Sequence, residues 1–462
     1  MAEQYDVIVI GGGPAGENAA GRTGQGGLKT VLIEGELLGG ECDYWACMPS
    51  KVLLRPWEAL SAVKRVPGAR EASTGSIDFP QVLAWRDYMT RSYSDESQVN
   101  WVASVGSDLI RGHAKIDGPR GVVVTQPDGS IRELEASKAV VVATGSRSSM
   151  PPIPGLADAQ TWDNRKATSA TEIPKHLIVL GGGAVGCELA QAWKSLGAEE
   201  VTIIEGQPHL MGLDEPFAGE LVAKAFKERL GISVRTSTRA TAVERIGNAV
   251  TVTLSDGSAV TGSEVLVALG RRPRTDDVGL ETLGLEQGKK ISVNDQMQAV
   301  DVPGGWLYAV GDVNGRNMQT YMGKYHGRIA GDHINGKDVA GIGDYHSSRV
   351  VFTDPQVASV GLTEAKAREQ GINVRAIEYG YGWSGGGSLM GYDVEGTCKW
   401  VVDEDKKVLV GATFVGPGAG EQIHAAAIAI AGQVTLDTLW HAVPPFPTIS
   451  EFWLSFLLEY GY

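Results

Sequence analysis

The chain has 462 residues, enough for about three domains with cores of their own. Hydrophobic residues make up 43% and charged residues 21%, an ordinary globular composition that excludes a largely disordered chain. A net charge of −14 without a long basic run argues against nucleic acid or an anionic membrane surface as a partner.

The N-terminal residues lead directly into Val7-Ile8-Val9-Ile10, with no basic stretch, apolar core and cleavage site before them. No secretory signal is expected, and no apolar run reaches the roughly 20 residues that cross a bilayer. Four cysteines in so long a chain make no disulfide scaffold, so a reducing, cytoplasmic setting is expected. Glycine is in excess, at 61 residues, and it gathers in short runs after apolar strands.

The first such run is Gly11-Gly12-Gly13-Pro14-Ala15-Gly16. A helix should follow it, then the strand Thr30–Glu34, making a βαβ unit with a dinucleotide fingerprint. Gly11 allows the tight turn, Gly13 lets a pyrophosphate approach the backbone, and Gly16 lets helix and strand pack closely. Glu34 can accept hydrogen bonds from a ribose. Next comes Gly39-Gly40-Glu41-Cys42-Asp43-Tyr44-Trp45-Ala46-Cys47-Met48-Pro49-Ser50-Lys51. The spacing of Cys42 and Cys47, with no second ligand pair, speaks against zinc. Residues five apart on an ideal helix have Cα atoms roughly 8–9 Å apart, too far for a disulfide. The two are therefore either buried small hydrophobes or a redox pair on a distorted turn.

Ala139–Val142 with Ala143, Thr144 and Gly145 is a further strand ending on glycine. The fingerprint then recurs: His176–Leu180, Gly181, Gly183, Val185, Gly186, a helix carrying Glu188, and a strand ending on Glu205. Two dinucleotides are expected. Glu205 would bond a free 2′-hydroxyl, and Gly206–His209 offers no arginine for a 2′-phosphate, which favours NAD(H) over NADP(H). Glu264–Val267 runs on to Gly270, and Leu307–Val310 ends on Gly311 and Asp312, where the chain is expected to return to its first domain. From about residue 345 short strands at Val350–Phe352, Cys398–Val402 and Val408–Ala412 accompany a helical run from His424 to Gly432. This reads as an α+β domain without a nucleotide signature, suited to dimerisation.

The two fingerprints, the Cys-x4-Cys-x-Pro-Ser-Lys segment, the Gly311-Asp312 pair, Phe352–Gly361 and Pro447–Glu451 together resemble the FAD-dependent pyridine nucleotide–disulfide oxidoreductases, across essentially the whole chain. The resemblance implies an α/β fold of two Rossmann-like domains plus a C-terminal α+β dimerisation domain. The expected limits are 1–147 with 276–344 for FAD, 148–275 for NAD(P), and 345–462 for the interface. It implies a homodimer with no metal, in which FAD lies on Gly11, Gly13, Pro14, Ala15, Gly16, Glu34, Gly40, Lys51, Ala143–Gly145, Gly311 and Asp312. NAD would lie on Gly181, Gly183, Val185, Gly186, Glu188, Glu205 and Gly270. Cys47 would be the thiol beside the flavin, able to form a charge-transfer complex with it, and Cys42 the interchange thiol of a redox-active disulfide. Lys51 would pair with Glu188.

One position departs from that pattern. The family supplies a base, His, in a His-Pro-Thr segment that reaches across the dimer and is oriented by a Glu. Here Glu451 is in place, but Phe446 stands where the His should be, and a phenyl ring cannot take a proton. His441 is a weak substitute. Phe at this place also occurs in 2-ketopropyl-coenzyme M oxidoreductase/carboxylase, a member of the same family whose partner residue is changed as well. The leading expectation is therefore an NAD(P)H-dependent disulfide oxidoreductase with an uncommon small-molecule acceptor. Its rivals are a thioether-cleaving carboxylase, with Phe446 excluding protons, and a transhydrogenase or quinone-type oxidoreductase. Mercuric reductase is disfavoured because Leu458–Tyr462 holds no cysteine pair. Arg55 reads as a surface residue, Cys187 and Cys398 as structural, and Tyr44 and Trp45 as site-narrowing or packing residues.

Overall fold

The computed structural model describes residues 2–343 and 346–462. The expected domain boundary at 344/345 lies outside the described residues. The chain forms two compact units, one of Met1–Pro49, Arg86–Ser149 and Arg271–Asp344, the other of Ser50–Trp85, Met150–Gly270 and Tyr345–Tyr462.

In the first unit β1 (Glu3–Ile10), α1 (Pro14–Gln25) and β2 (Thr30–Glu34) form the βαβ element, with Val7 opposite Thr30 and Ile10 opposite Ile33 in parallel register. The sheet order is Ser107–Arg111, β2, β1, Ile131–Val142, Gly121–Thr125, His113–Ile116, and Leu307–Ala309 joins it in parallel beside Ile131–Val142. β1 is a continuous apolar run because both of its faces are covered. Ile8 and Ile10 pack with Ile33, Val140 and Val142, while Val7 and Val9 pack with Ala19, Ala20 and Leu32. Each such buried side chain contributes roughly 1.5–3 kcal/mol. Beyond β2 come the short helix α2 (Gly40–Tyr44) and the long helix α3 (Cys47–Arg65), which carries the chain into the second unit.

The second unit repeats the plan. Ser233–Arg235, Glu200–Ile204, His176–Leu180 and Glu264–Val267 form a parallel sheet, with the helix Ala184–Leu196 after its glycine turn. Period-two burial again sorts the side chains: Leu177 and Val179 meet Trp193, while Ile178 and Leu180 meet Val250 and Val252 of a three-stranded antiparallel sheet. A five-stranded antiparallel sheet follows, in the order Arg349–Val351, Gln356–Gly361, Val408–Gly416, Thr397–Asp403, Val374–Gly380. Trp400 and Phe414 of this sheet pack on Phe452 and Phe456 of the last helix. The neighbouring helix is Ala419–Ala431, beginning five residues before the apolar run at His424. Its first turn holds Glu421 and Gln422, polar residues that hydropathy passes over but that a helix N-terminus favours.

Candidate active site

Both glycine turns have the same construction. Gly11 and Gly181 have φ of +103° and +104°, the left-handed region that favours glycine. A Cβ on Gly16 or Gly186 would lie 1.9 Å from the carbonyl oxygen of Gly11 or Gly181, so each helix sits directly on its own turn. Around a Cβ on Gly13 or Gly183 there is nothing within 4 Å, and no side chain caps either helix. The N–H groups of the first turn are thus aimed at open space, which fits a pyrophosphate. Clefts continue from both turns. One of about 380 Å³ is lined by Gly11, Glu34, Glu36, His113, Thr144 and Arg274. The other, of about 420 Å³, is lined by Leu180, Glu205, Gln207, Thr238, Arg239 and Leu269.

The acids close the turns in the same way. Glu34 accepts the N–H of Gly12 and of Glu36, each at 2.7 Å, and Glu205 those of Gly182 at 2.5 Å and Gln207 at 2.7 Å. Burial pushes the Glu34 carboxyl up, against these two donors. In the first unit Asp312 accepts the hydroxyl of Ser146 at 2.5 Å, and burial pushes its carboxyl up too. Gly311 packs close to Ala15, Thr144 donates to the carbonyl of Arg274, and Gly40 stands against Gly13. The open space at Gly13 and the cleft lined by Gly11, Glu34 and Thr144 are matched to a dinucleotide such as FAD.

The cysteine segment adjoins that turn. α2 ends at Tyr44, Trp45 leaves helical geometry (φ −134°, ψ 1°), and α3 starts afresh at Cys47. This break supplies the distortion that the five-residue spacing demands. The two thiols are hydrogen-bonded to one another, and this bond, then burial, pushes the Cys42 thiol up, with Thr320 acting in the opposite direction. Cys47 Sγ lies 3.3 Å from the hydroxyl of Thr320, the first residue of the helix Thr320–Ile334. Tyr44 is fully buried and stacks on Tyr93 at 6.2 Å, and Trp45 lies 6.1 Å from the same ring. Tyr93 belongs to a turn in which Arg91, Ser92 and Tyr93 all have positive φ, a conformation costing roughly 1–2 kcal/mol per residue. Tyr44 and Trp45 thus pack the cysteine loop from within.

In the second unit Lys51 Nζ lies 2.6 Å from Glu188 Oε2 and 4.9 Å from the centre of the Phe352 ring, and the Phe352 N–H donates to Glu188 Oε1 at 2.9 Å. Glu451 Oε2 accepts the Gly385 N–H at 2.7 Å, and Phe446 is exposed. Gly183, Val185 and Gly270 lie on the second turn or at its sheet end. Arg55 is ion-paired with Glu58 at 2.7 Å on the helix surface.

Four residues escaped the sequence reading. Thr320 reaches Cys47 across 273 residues, with no local sign of the contact. Gly385 reaches Glu451 in the same way. Glu17 follows the first fingerprint; burial, then the charge of Asp43, push its carboxyl up to about 7. Arg239 lines the second cleft beside Glu205. A signal for it existed: Ser233–Arg235 continues the parallel sheet, and ligands in such sheets meet the loops after the carboxyl ends of strands.

Comparison with known proteins defines the class. Residues 5–327 match the model for pyridine nucleotide-disulphide oxidoreductases, and residues 347–455 that for the dimerisation domain of the same proteins. The chain belongs to this family of flavoproteins, whose members use FAD and NAD(P)H. It is 35% identical to dihydrolipoyl dehydrogenase of Thermus scotoductus over 97% of this chain and 95% of that one. To mercuric reductase of Staphylococcus aureus it is 29% identical over 97% and 81%. The crystal structure of LpdA from Mycobacterium tuberculosis superimposes with a TM-score of 0.87, at 26% identity, over all of both chains. No helix of the described residues is long and apolar enough to cross a membrane.

Proposed function

We propose that the protein is a homodimeric oxidoreductase that takes electrons from NAD(P)H by way of FAD and passes them through Cys42 and Cys47 to a small-molecule acceptor. The reading rests above all on the hydrogen-bonded pair of thiols at the helix break, with Cys47 beneath the Thr320 hydroxyl. Bound FAD would supply the two-electron chemistry that amino-acid side chains lack. The chain's own groups bind and orient. Gly11, Gly13 and Gly16 leave N–H donors for the pyrophosphate, Glu34 accepts from the adenosine ribose, and Asp312 with Ser146 meets the ribityl chain. Lys51 is held by Glu188, which fixes its positive charge on the helix that follows the cysteines. Glu205 favours a free 2′-hydroxyl on the nicotinamide nucleotide.

Phe446 determines what the acceptor is not. An incoming dithiol must lose protons before it can exchange, and the phenyl ring accepts none. Although several relatives are dihydrolipoyl dehydrogenases, the natural acceptor here is one that needs no base at this place. Phe446 shields the reduced pair from protons and water. The same ring supports the second reading, a carboxylase that cleaves a thioether with the reduced dithiol, although Glu451 keeps the ordinary reductase identity. Anaerobic titration with NADH is expected to raise a long-wavelength absorption that Cys47→Ser abolishes. Phe446→His should raise dihydrolipoamide turnover at least tenfold. Full flavin reduction without that absorption would transfer the reading to direct transfer to a quinone or a second nucleotide.

A further inference from the structure

Glu451 stands where an orienting carboxylate belongs, but the position it would orient holds Phe446 in place of an imidazole. Its Oε2 is engaged elsewhere, accepting the N–H of Gly385 at 2.7 Å. Gly385 opens a run of three glycines, Gly385-Gly386-Gly387, and each meets a neighbour that leaves no room for a side chain. A Cβ on Gly385 would lie 2.8 Å from Phe446 Cε2 and 3.0 Å from Glu451 Oε2. On Gly386 it would lie 2.1 Å from the carbonyl carbon of Thr448 and 2.3 Å from the nitrogen of Ile449. On Gly387 it would lie 2.5 Å from the carbonyl oxygen of Tyr381, a fully buried residue. Ser384, itself buried, accepts the Gly387 N–H at 3.0 Å and ties the far end of the run.

Three consecutive glycines are costly to order, since glycine loses more backbone freedom on folding than any other residue. Here that cost is offset by contact. The main chain of Thr448 and Ile449 lies directly on the glycine run, the edge of the Phe446 ring and Pro447 Cβ rest over Gly385, and 76% of Phe446 remains open to the surroundings.

We infer that Glu451 is a positioning residue for Phe446, acting through Gly385. Its carboxyl oxygen pins the Gly385 N–H, the pinned glycine run backs the ring, and the ring is held at a fixed angle with its free face outward. The carboxyl group acts as a hydrogen-bond acceptor and carries no proton in turnover. The consequence for activity rests on the proposed shielding role of Phe446; the clamp itself does not.

The FAD-loaded dimer tests both separately. Hydrogen exchange at the Gly385 amide, read by mass spectrometry or NMR, reports the clamp. The rate at which the NADH-reduced enzyme loses electrons to oxygen reports shielding. In Glu451→Ala, exchange at Gly385 should rise at least tenfold and the loss to oxygen severalfold. Glu451→Gln keeps an acceptor oxygen and should stay within about threefold of the parent in both, with an unchanged pH profile. Gly385→Ala, which displaces the ring and keeps the acid, should match Glu451→Ala in oxygen loss and serves if Glu451→Ala fails to assemble. Unchanged Gly385 exchange in Glu451→Ala overturns the inference. So does a Glu451→Gln variant as impaired as Glu451→Ala with a displaced pH profile, which would make the acid a proton carrier. If exchange rises as expected while Phe446→Ala leaves oxygen loss unaltered, the clamp stands and the shielding role falls.

Discussion

The glycine turns of the two units share the same close contacts. In each, the third glycine sits 1.9 Å (to an added Cβ) from the first glycine's oxygen, and the acid at the end of the following strand grips the N–H of Gly12 or Gly182. The side chains that follow are unlike. Where the first turn continues with Glu17 and Asn18, the second continues with Cys187 and Glu188. Glu17 is half-buried and feels the charge of Asp43 of the cysteine segment, whereas Glu188 holds Lys51. Backbone geometry is shared because a pyrophosphate asks the same of any turn that binds it. What each site does is written in side chains that the turn merely presents.

The sharpest way to break this comparison is to close one turn at a time. Gly16→Ala should leave the purified protein with less than a tenth of the parent's flavin. Gly186→Ala should keep its flavin and lose NADH-dependent reduction by at least tenfold. Flavin absorbance against protein content measures both, with circular dichroism to verify folding. The opposite pattern would exchange the two assignments.

A second test concerns the unlike residues at position 17 and its counterpart. Burial pushes the Glu17 carboxyl up to about 7 in the folded chain, above its ordinary value of 4.5, so its contribution to stability is complete below about pH 4.5 and is lost as the pH rises through about 7. Glu17→Gln in flavin-free protein should therefore gain about 3 kcal/mol at pH 8 and nothing at pH 4. Urea denaturation at both values measures the difference, and an equal gain at both would show that ionisation is not the cause.

The smallest effect is expected at the edge of the second cleft. Arg239 lies against Gly206, where an added Cβ would come within 2.9 Å of its Nε. Arg239→Ala should raise the KM for NADPH about fivefold and that for NADH less than twofold. Equal changes would make the arginine a general wall of the cleft.

These contrasts also separate what a reader of the sequence can see from what only the fold reveals. The strands, the turns and their acids are local: a run of β-branched residues, a left-handed glycine and a carboxylate about twenty residues on describe a complete physical object. The pairing of Lys51 with Glu188 was legible only through resemblance, since no spacing rule joins residues 137 positions apart. Thr320 and Gly385 were legible by neither route. Their roles arise from the main chain of distant segments coming together, and a threonine or a glycine carries no mark of that in its own neighbourhood. Arg239 is hidden for a narrower reason: it lies far beyond the residues that directly follow Glu205, although the next parallel strand delivers its own loop to the same sheet end.

The interruption at Trp45 and Ala46 carries a vulnerability unlike that of the glycine turns. The two thiols meet here because Trp45 and Ala46 leave the helix, so the proposed reactivity of the pair depends on a local refusal of regularity. A change that let Trp45 and Ala46 take helical geometry would fuse α2 and α3 into one rod and draw the thiols apart. Such a protein would retain every cysteine and every nucleotide contact and still have lost its chemistry, a defect invisible to any inspection that counts only the reactive residues.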